Sequence, residues 1–220
     1  MSITWSRYLS RYQQKYGGCF FDGPDGSDYD CHLTLYEGEK YPILVFFDTE
    51  PIGKSQEPRL RARALVCLNK SYELRIGAKS AAVSGLNNML SAVGAEDDYG
   101  YPELTRGRMI STDNEAFTKL VLGDLALRNG LLQHKDVWLR IAPASCGGGM
   151  HAVEIGSVKF NDGLLTYKSP WINEAMRRAE GFSPNREADL QAGSDHFNAA
   201  MYEFLDLLRA ACRAVTTWNL

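Results

Sequence analysis

The chain has 220 residues, with 24 Lys plus Arg against 27 Asp plus Glu, and a formal net charge of -3. Its 45% hydrophobic and 23% charged residues are typical of a globular protein and exclude the disordered, collagen-like and disulfide-miniprotein classes. The slightly acidic balance argues against a nucleic-acid backbone, and no apolar run approaches the roughly 20 residues of a membrane span, so we expect neither as a partner.

The first half of the chain predicts one helix, a block of strands and a second helix. Apolar and aromatic residues at helical spacing predict a helix over 2–16. A Gly- and Asp-rich loop is predicted over 19–30, and a polar loop over 49–58. Alternating or continuously apolar runs predict strands at 31–36, 41–48, 60–68 and 72–76. A turn at 69–71 is predicted to return the 72–76 strand antiparallel onto 60–68. A second helix is predicted over 79–93.

The second half opens with the sharpest local signal in the chain. A short strand is predicted over 108–111, and Thr112 and Glu115 have the spacing of a capping box, in which each side chain bonds the other's backbone N–H at a helix start. We expect that helix to end near 129–130, with an irregularity at Gly123. Two further strands and a Gly-rich connection then follow, at 137–142, 150–155 and 143–149.

A one-sided apolar seam marks the last helix. Its residues recur at alternating steps of four and three: Phe197, Met201, Phe204, Leu208, Ala211 and Val215. Gly193 is predicted to separate this helix from a shorter one before it. Because strands come in runs rather than in alternation with helices, we predict an α+β fold with an antiparallel or mixed sheet, helices packed on it and a long C-terminal helix. We expect a single domain over 1–220, with a two-lobe division near 95–107 as the alternative.

Two tripeptides, Leu74-Arg75-Ile76 and Leu139-Arg140-Ile141, echo each other, and each follows a predicted turn. Either a worn duplication of a hairpin-and-helix unit or coincidence explains the echo. The flanking residues do not match and there is no third copy, which favours coincidence.

The order strand, strand, helix, long loop, strand, capped helix and hairpin over 59–155 resembles a domain of uncharacterised bacterial proteins. The residues that carry the resemblance are Leu60-Arg61-Ala62-Arg63, Leu74-Arg75-Ile76, Thr112 to Phe117 and Leu139-Arg140-Ile141. The resemblance implies a fold unit and brings no catalytic residue with it.

The Gly-rich connection holds the most suggestive reactive residue, Cys146, with His151 shortly after it. A thiol in such a loop is exposed, a neighbouring imidazole can make it a nucleophile, and successive backbone N–H groups can stabilise an oxyanion. The same pattern is also that of a flexible hairpin loop with an incidental cysteine. We favour the loop and expect no catalytic role for either residue.

An acidic loop is the leading candidate for a metal site in the sequence, and Glu96-Asp97-Asp98 is a weaker one. The carboxylates of the loop belong to Asp22, Asp25, Asp28 and Asp30. Hard oxygens suit Ca²⁺, but the spacing is not that of an EF-hand, so we favour a solvated turn. The five cysteines and four histidines lack zinc-ligand spacing, and we expect no zinc, iron or other cofactor. Scattered, odd-numbered cysteines also favour the reducing cytoplasm.

These observations favour a non-catalytic cytoplasmic binding or interaction module, with a protein partner or a second copy of the chain as its partner. A thiol-dependent hydrolase or transferase using Cys146 and His151 is the first alternative. A structural subunit that self-associates through its terminal helices is the second.

Overall fold

A computed structural model describes residues 5–22, 31–52, 55–78, 99–135, 137–157 and 187–218. The strands in these residues are β1 (Cys19–Phe21), β2 (His32–Leu35), β3 (Ile43–Ile52), β4 (Ser55–Cys67), β5 (Leu74–Ala78), β6 (Arg108–Thr112), β7 (Val137–Pro143) and β8 (Met150–Ser157). The helices are α1 (Trp5–Tyr16), α2 (Pro102–Thr105), α3 (Glu115–Leu122), α4 (Leu125–Gln133) and α5 (Glu187–Thr217). The strands form an eight-stranded antiparallel sheet in the order β1-β2-β3-β4-β8-β7-β5-β6, which confirms the α+β class and the long C-terminal helix.

The chain divides into two compact units. Unit 1 comprises 1–64 and 156–206, and unit 2 comprises 65–155 and 207–220. The boundaries fall inside β4, inside β8 and inside α5, so each of these elements contributes residues to both units. The predicted single domain, and the alternative division near 95–107, stay predictions.

In unit 1, helix α1 packs by one apolar face against its own unit. Leu9, Tyr8 and Tyr12 are buried, and the Tyr8 ring stacks on Phe197 with centroids 5.4 Å apart. Residues of β2, β3 and β4 that share one side of the sheet are also buried, since side chains alternate along a strand. They include the cross-strand row Leu33, Val45 and Ala62.

In unit 2, β5 lies between β6 and β7 and pairs antiparallel with both. Its inner face buries Leu74 and Ile76 beside Ile141 and Leu139 of β7. The Tyr72 ring, just before β5, meets the Phe117 ring of α3 edge-on, with centroids 4.7 Å apart. Aromatic pairs favour this edge-to-face geometry, which ties the start of β5 to α3.

A buried arginine closes the end of α4. Arg108 is 4% exposed, and its guanidinium donates to the backbone carbonyls of Leu131, His134 and Val137. Carbonyls at a helix C-terminus have no partner within the helix, and a cation there is favoured by the helix dipole. Arg108 therefore fixes the turn from α4 into β7.

Three predictions about strands need correction. The loop predicted over 19–30 begins with a strand, β1, and the rest of that range lies outside the described residues. The polar loop predicted over 49–58 is a hairpin, because β3 and β4 stay paired from Ile43 with Ala64 as far as Ile52 with Ser55. Hydrogen bonds between the two backbones hold this polar segment extended. Such pairing leaves no signal in the hydrophobic pattern of the sequence. The return of the 72–76 strand onto 60–68 is also wrong, because β5 pairs with β6 and β7.

Two predictions about helix ends also need correction. The residue that caps α3 is Asn114, whose Oδ1 accepts from the Phe117 N–H at 3.0 Å, whereas Thr112 belongs to β6. The irregularity predicted at Gly123 is confirmed, since α3 ends there and Asp124 caps α4. Gly193 interrupts nothing, because α5 is continuous over its 31 residues. The helix predicted over 79–93 lies outside the described residues.

Candidate functional site

A polar groove in unit 1, here called the α1–β1 groove, is an open, ligand-sized concavity in the described part of the chain. It encloses about 490 Å³, within the range of small-molecule sites. Its lining residues are Ser6, Arg7, Ser10, Arg11, Gln14, Phe20 and Asp22.

Helical periodicity places the polar side chains of the groove together. Five of the lining residues belong to α1, and they fall on one side of the helix because they are spaced by one, three or four residues. The apolar residues Tyr8, Leu9 and Tyr12 occupy the other side and are buried. The polar side of α1 therefore carries two guanidinium groups, two hydroxyls and an amide.

Among the lining residues that the structure describes, arginines outnumber carboxylates. Arg7 and Arg11 stand one turn apart on α1, and Asp22, after β1, is the one carboxylate in this described set. Arg11 Nη1 donates to Gln191 Oε1 at 3.3 Å, and Gln191 Nε2 donates to Asp195 Oδ1 at 3.1 Å. These bonds link the Arg11 side chain to α5.

One wall of the groove is aromatic. The Phe20 side chain of β1 is half-buried and lines the cavity beside the polar face of α1. A ligand in this groove would therefore meet hydrogen-bond donors on one side and an apolar ring on the other. Small-molecule sites commonly combine apolar walls with a few polar groups in this way.

The sequence analysis did not single out this groove. Of its lining residues it named only Asp22, as a candidate Ca²⁺ ligand, and the structure places that carboxylate at the end of β1. Asp25, Asp28 and Asp30 lie outside the described residues, so the calcium site stays a prediction. The signal that could have found the groove is the repeat of Ser6, Arg7, Ser10 and Arg11 opposite the apolar face of the first helix.

Cys146 lies at the tip of the β7–β8 hairpin and its side chain is exposed. The Gly147 N–H bonds the Ala144 carbonyl at 3.3 Å, which makes Ser145 and Cys146 the central residues of a tight turn. Gly147, Gly148 and Gly149 follow with φ of 71°, 65° and 74°. A side chain at Gly149 would also meet the Leu68 carbonyl at 2.6 Å, so this position requires glycine.

His151 is 2% exposed, and backbone groups engage both of its ring nitrogens. The Tyr72 N–H donates to Nε2 at 3.1 Å, and Nδ1 lies 2.8 Å from the Gly149 carbonyl. Because Nε2 accepts, the proton must be on Nδ1, which donates to Gly149. The imidazole therefore joins the start of β5 to the hairpin loop.

The structure does not join the two candidate catalytic residues by a hydrogen bond, as far as the described residues extend. To act as a base toward Cys146, His151 would have to exchange one of its backbone partners. The catalytic pairing of Cys146 with His151 stays a hypothesis.

The remaining cysteines and histidines are dispersed. His32 stacks on Phe21 with centroids 4.7 Å apart, His134 follows the last turn of α4, and Cys19 lies 3.5 Å from the Tyr36 hydroxyl. This hydrogen bond with Cys19 is the largest cause that raises the pKa of Tyr36 above its ordinary value. Within the residues the structure covers, no three His, Cys, Asp or Glu side chains gather as metal ligands.

Comparison of the chain with protein-family models, with curated proteins and with solved structures finds no match in any of the three. No helix in the described ranges is long and apolar enough to cross a bilayer. The fold and the groove thus define an α+β protein with a ligand-sized polar groove beside its first helix.

Proposed function

We propose that this protein is a non-catalytic binding module whose ligand site is the α1–β1 groove. The observation that carries the proposal is the lining of that groove. Two arginines, two serines and a glutamine converge on a cavity of about 490 Å³ with an aromatic wall.

The lining chemistry selects the ligand. Arginine presents a planar fork of N–H donors that matches a carboxylate or a phosphate, and hydroxyl and amide groups add donors around it. The Phe20 ring suits an apolar or planar part of the same molecule. The module therefore binds a small anionic molecule with an apolar portion.

The hydrogen bonds of His151 support binding rather than thiol chemistry, and the free cysteines support a reducing compartment. His151 has both ring nitrogens engaged by backbone groups, and a base needs an available lone pair. All five cysteines are free thiols, in keeping with the cytoplasm. Self-association of the chain is compatible with the groove, because a binding module can act as a monomer or within an oligomer.

A panel of matched probes tests the proposal. The ¹⁵N-labelled full chain is titrated with benzoate, phenyl phosphate, benzyl alcohol and benzylamine, which share a ring and differ in charge. We expect benzoate or phenyl phosphate to shift the amide signals of α1 and Phe20 saturably, and the cationic benzylamine to leave them unchanged.

A pair of variants on the same helix supplies the control. Arg11→Gln removes a cation that lines the groove, whereas Lys15→Gln removes one that lies outside its lining, beside the Tyr16 ring. Arg11→Gln should weaken anion binding about tenfold, the scale of one charge-assisted hydrogen bond, and Lys15→Gln should not. Equal effects of the two variants, or no saturable shift at the groove with any probe, would contradict the proposal.

A further inference from the structure

The two echoed tripeptides of the sequence lie side by side in unit 2. The register of β5 and β7 places Leu74 opposite Ile141, Arg75 opposite Arg140, and Ile76 opposite Leu139. The leucines and isoleucines are buried, and both arginines are exposed. Each tripeptide thus contributes two core residues and one outward arginine, and the two arginines are direct cross-strand neighbours.

This arrangement sets two like charges against each other. Directly opposed residues in an antiparallel pair have their Cβ atoms about 5 Å apart, and like charges there are destabilising. Across the part of the chain that the structure describes, neither Arg75 nor Arg140 has an ion pair or a side-chain hydrogen bond. No ion pair within the described residues therefore relieves the repulsion between the two guanidinium groups.

We infer that Arg75 and Arg140 form a second ligand site, a clamp that binds one phosphate or carboxylate group between the two guanidinium groups. An oxyanion turns the repulsion into two attractions, and each guanidinium fork can bond it through paired N–H groups. The site lies on the exposed face of the unit 2 sheet and shares no residue with the α1–β1 groove.

The neighbours of the clamp define the size of its ligand. On the far side of Arg75, β6 places the exposed Ser111 in the same cross-strand row, where its hydroxyl can add a donor. Glu73, two residues before Arg75, and Asp113, two residues after Ser111, are exposed just beyond the paired strands. The Asp113 Oδ1 accepts from the Glu73 N–H at 2.9 Å. Their carboxylates repel an extended polyanion, so the clamp suits a single oxyanion group rather than a nucleic-acid backbone.

Titration of the ¹⁵N-labelled full chain with inorganic phosphate and with acetate, at an ionic strength held constant with sodium chloride, tests the clamp. We expect at least one of the two anions to shift the amide signals of Arg75, Ser111 and Arg140 saturably. Tighter binding of phosphate identifies phosphorylated ligands as the source, and tighter binding of acetate identifies carboxylates. If neither anion shifts these amide signals saturably at this constant ionic strength, the inference is overturned.

Three charge-neutralising variants separate the clamp from general attraction. Arg75→Gln and Arg140→Gln should each weaken anion binding at least tenfold. The control is Arg106→Gln, which removes an exposed arginine of the same unit outside the row and should leave the affinity unchanged. If all three variants weaken anion binding equally, the binding depends on net charge alone, and the clamp is overturned.

Charge reversal provides a readout that needs no ligand. Arg140→Glu converts the repulsive pair into an attractive one, so at low salt this variant should unfold at a higher temperature than Arg140→Gln, and added phosphate should not stabilise it. An Arg140→Glu variant no more stable than Arg140→Gln would show that the two side chains do not interact, and would overturn the clamp.

The outcomes for the two sites are distinguishable. If phosphate shifts only α1 amides and the shift is lost in Arg11→Gln, the clamp is wrong and the groove proposal stands. If phosphate shifts only the Arg75 row, the clamp stands whatever the probes show at the groove.

Discussion

Replacing Thr118 by valine tests a buried chain of hydroxyl groups in unit 2. The Thr112 hydroxyl donates to the Glu73 carbonyl at 2.9 Å, and the Thr118 hydroxyl donates to Thr112 Oγ1 at 2.8 Å. Each hydroxyl has one proton, so the Tyr72 hydroxyl, 2.8 Å from Thr118 Oγ1, must be the donor in its bond. Burial raises the pKa of Tyr72 to about 12, which keeps that proton in place at neutral pH.

Because the hydrogen bonds run from Tyr72 to Thr118 to Thr112, substitutions of Tyr72 and of Thr118 should have unequal effects on stability. Tyr72→Phe removes one donor and leaves the bond from Thr118 to Thr112 intact, at a cost of about 1 kcal/mol. Thr118→Val removes that bond and strands the Tyr72 O–H, and both residues are 0% exposed. A lost bond and a stranded buried donor together cost about 2–4 kcal/mol. The double variant strands no donor and should cost about 2 kcal/mol, well below the sum of the single changes.

Urea unfolding of the four proteins at pH 7, followed by circular dichroism, measures these free energies of unfolding. Thr34→Val, at a half-exposed position of β2, is the control for replacing a hydroxyl by a methyl group. It should change the free energy of unfolding by less than about 0.5 kcal/mol, the scale of surface substitutions. Additive single effects, or a Thr118→Val variant no less stable than Tyr72→Phe, would refute the assigned direction.

Three further predictions concern other buried or charged residues. Arg108→Met removes the guanidinium donor from three backbone carbonyls, of which the His134 carbonyl keeps its bond from the Val137 N–H. This variant should be destabilised by about 2–3 kcal/mol in urea unfolding. Burial raises the pKa of Asp124, but Arg213 and the Leu127 N–H bonded to it lower the net value below the ordinary range. The ionised carboxylate therefore stabilises the fold above about pH 4, and this contribution is lost as the pH falls through the lowered value. Asp124→Asn should remove that part of the acid-induced loss of stability. Phe204 is 4% exposed in α5, so Phe204→Ala should lower the free energy of unfolding by about 3–5 kcal/mol. Sedimentation of the wild type and of this variant should not show an oligomer that the substitution converts into a stable folded monomer.

Side-chain periodicity was enough to predict most of the elements. The seam of α5 from Phe197 to Val215 is buried throughout, as its spacing predicted. The alternation of 60–68 likewise separates the buried Ala62 and Val66 from the exposed Arg63 and Leu65. Both patterns arise because a helix repeats every 3.6 residues and a strand every two. Such patterns are properties of neighbouring residues, so they can be read without knowing the fold.

Helix ends were less predictable, because more than one residue can cap. Thr112 and Glu115 satisfied the capping-box spacing, yet Asn114 is the cap. Thr112 has a different task, since its hydroxyl joins Glu73 to Thr118. The choice between two adequate caps depends on where β6 stops pairing, and that is decided by the partner strand.

The sequence by itself determined the α+β class, the apolar faces of the elements and the position of the long last helix. Only the tertiary structure decided that β5 pairs with β7, which brings Arg75 opposite Arg140, and that His151 meets the Tyr72 N–H. It also decided that β1 closes one side of the α1–β1 groove. The physical reason is that amphipathic patterns depend on adjacent residues, whereas register and pairing join residues dozens of positions apart. Many pairings satisfy the same apolar pattern, and packing of the whole unit selects one of them.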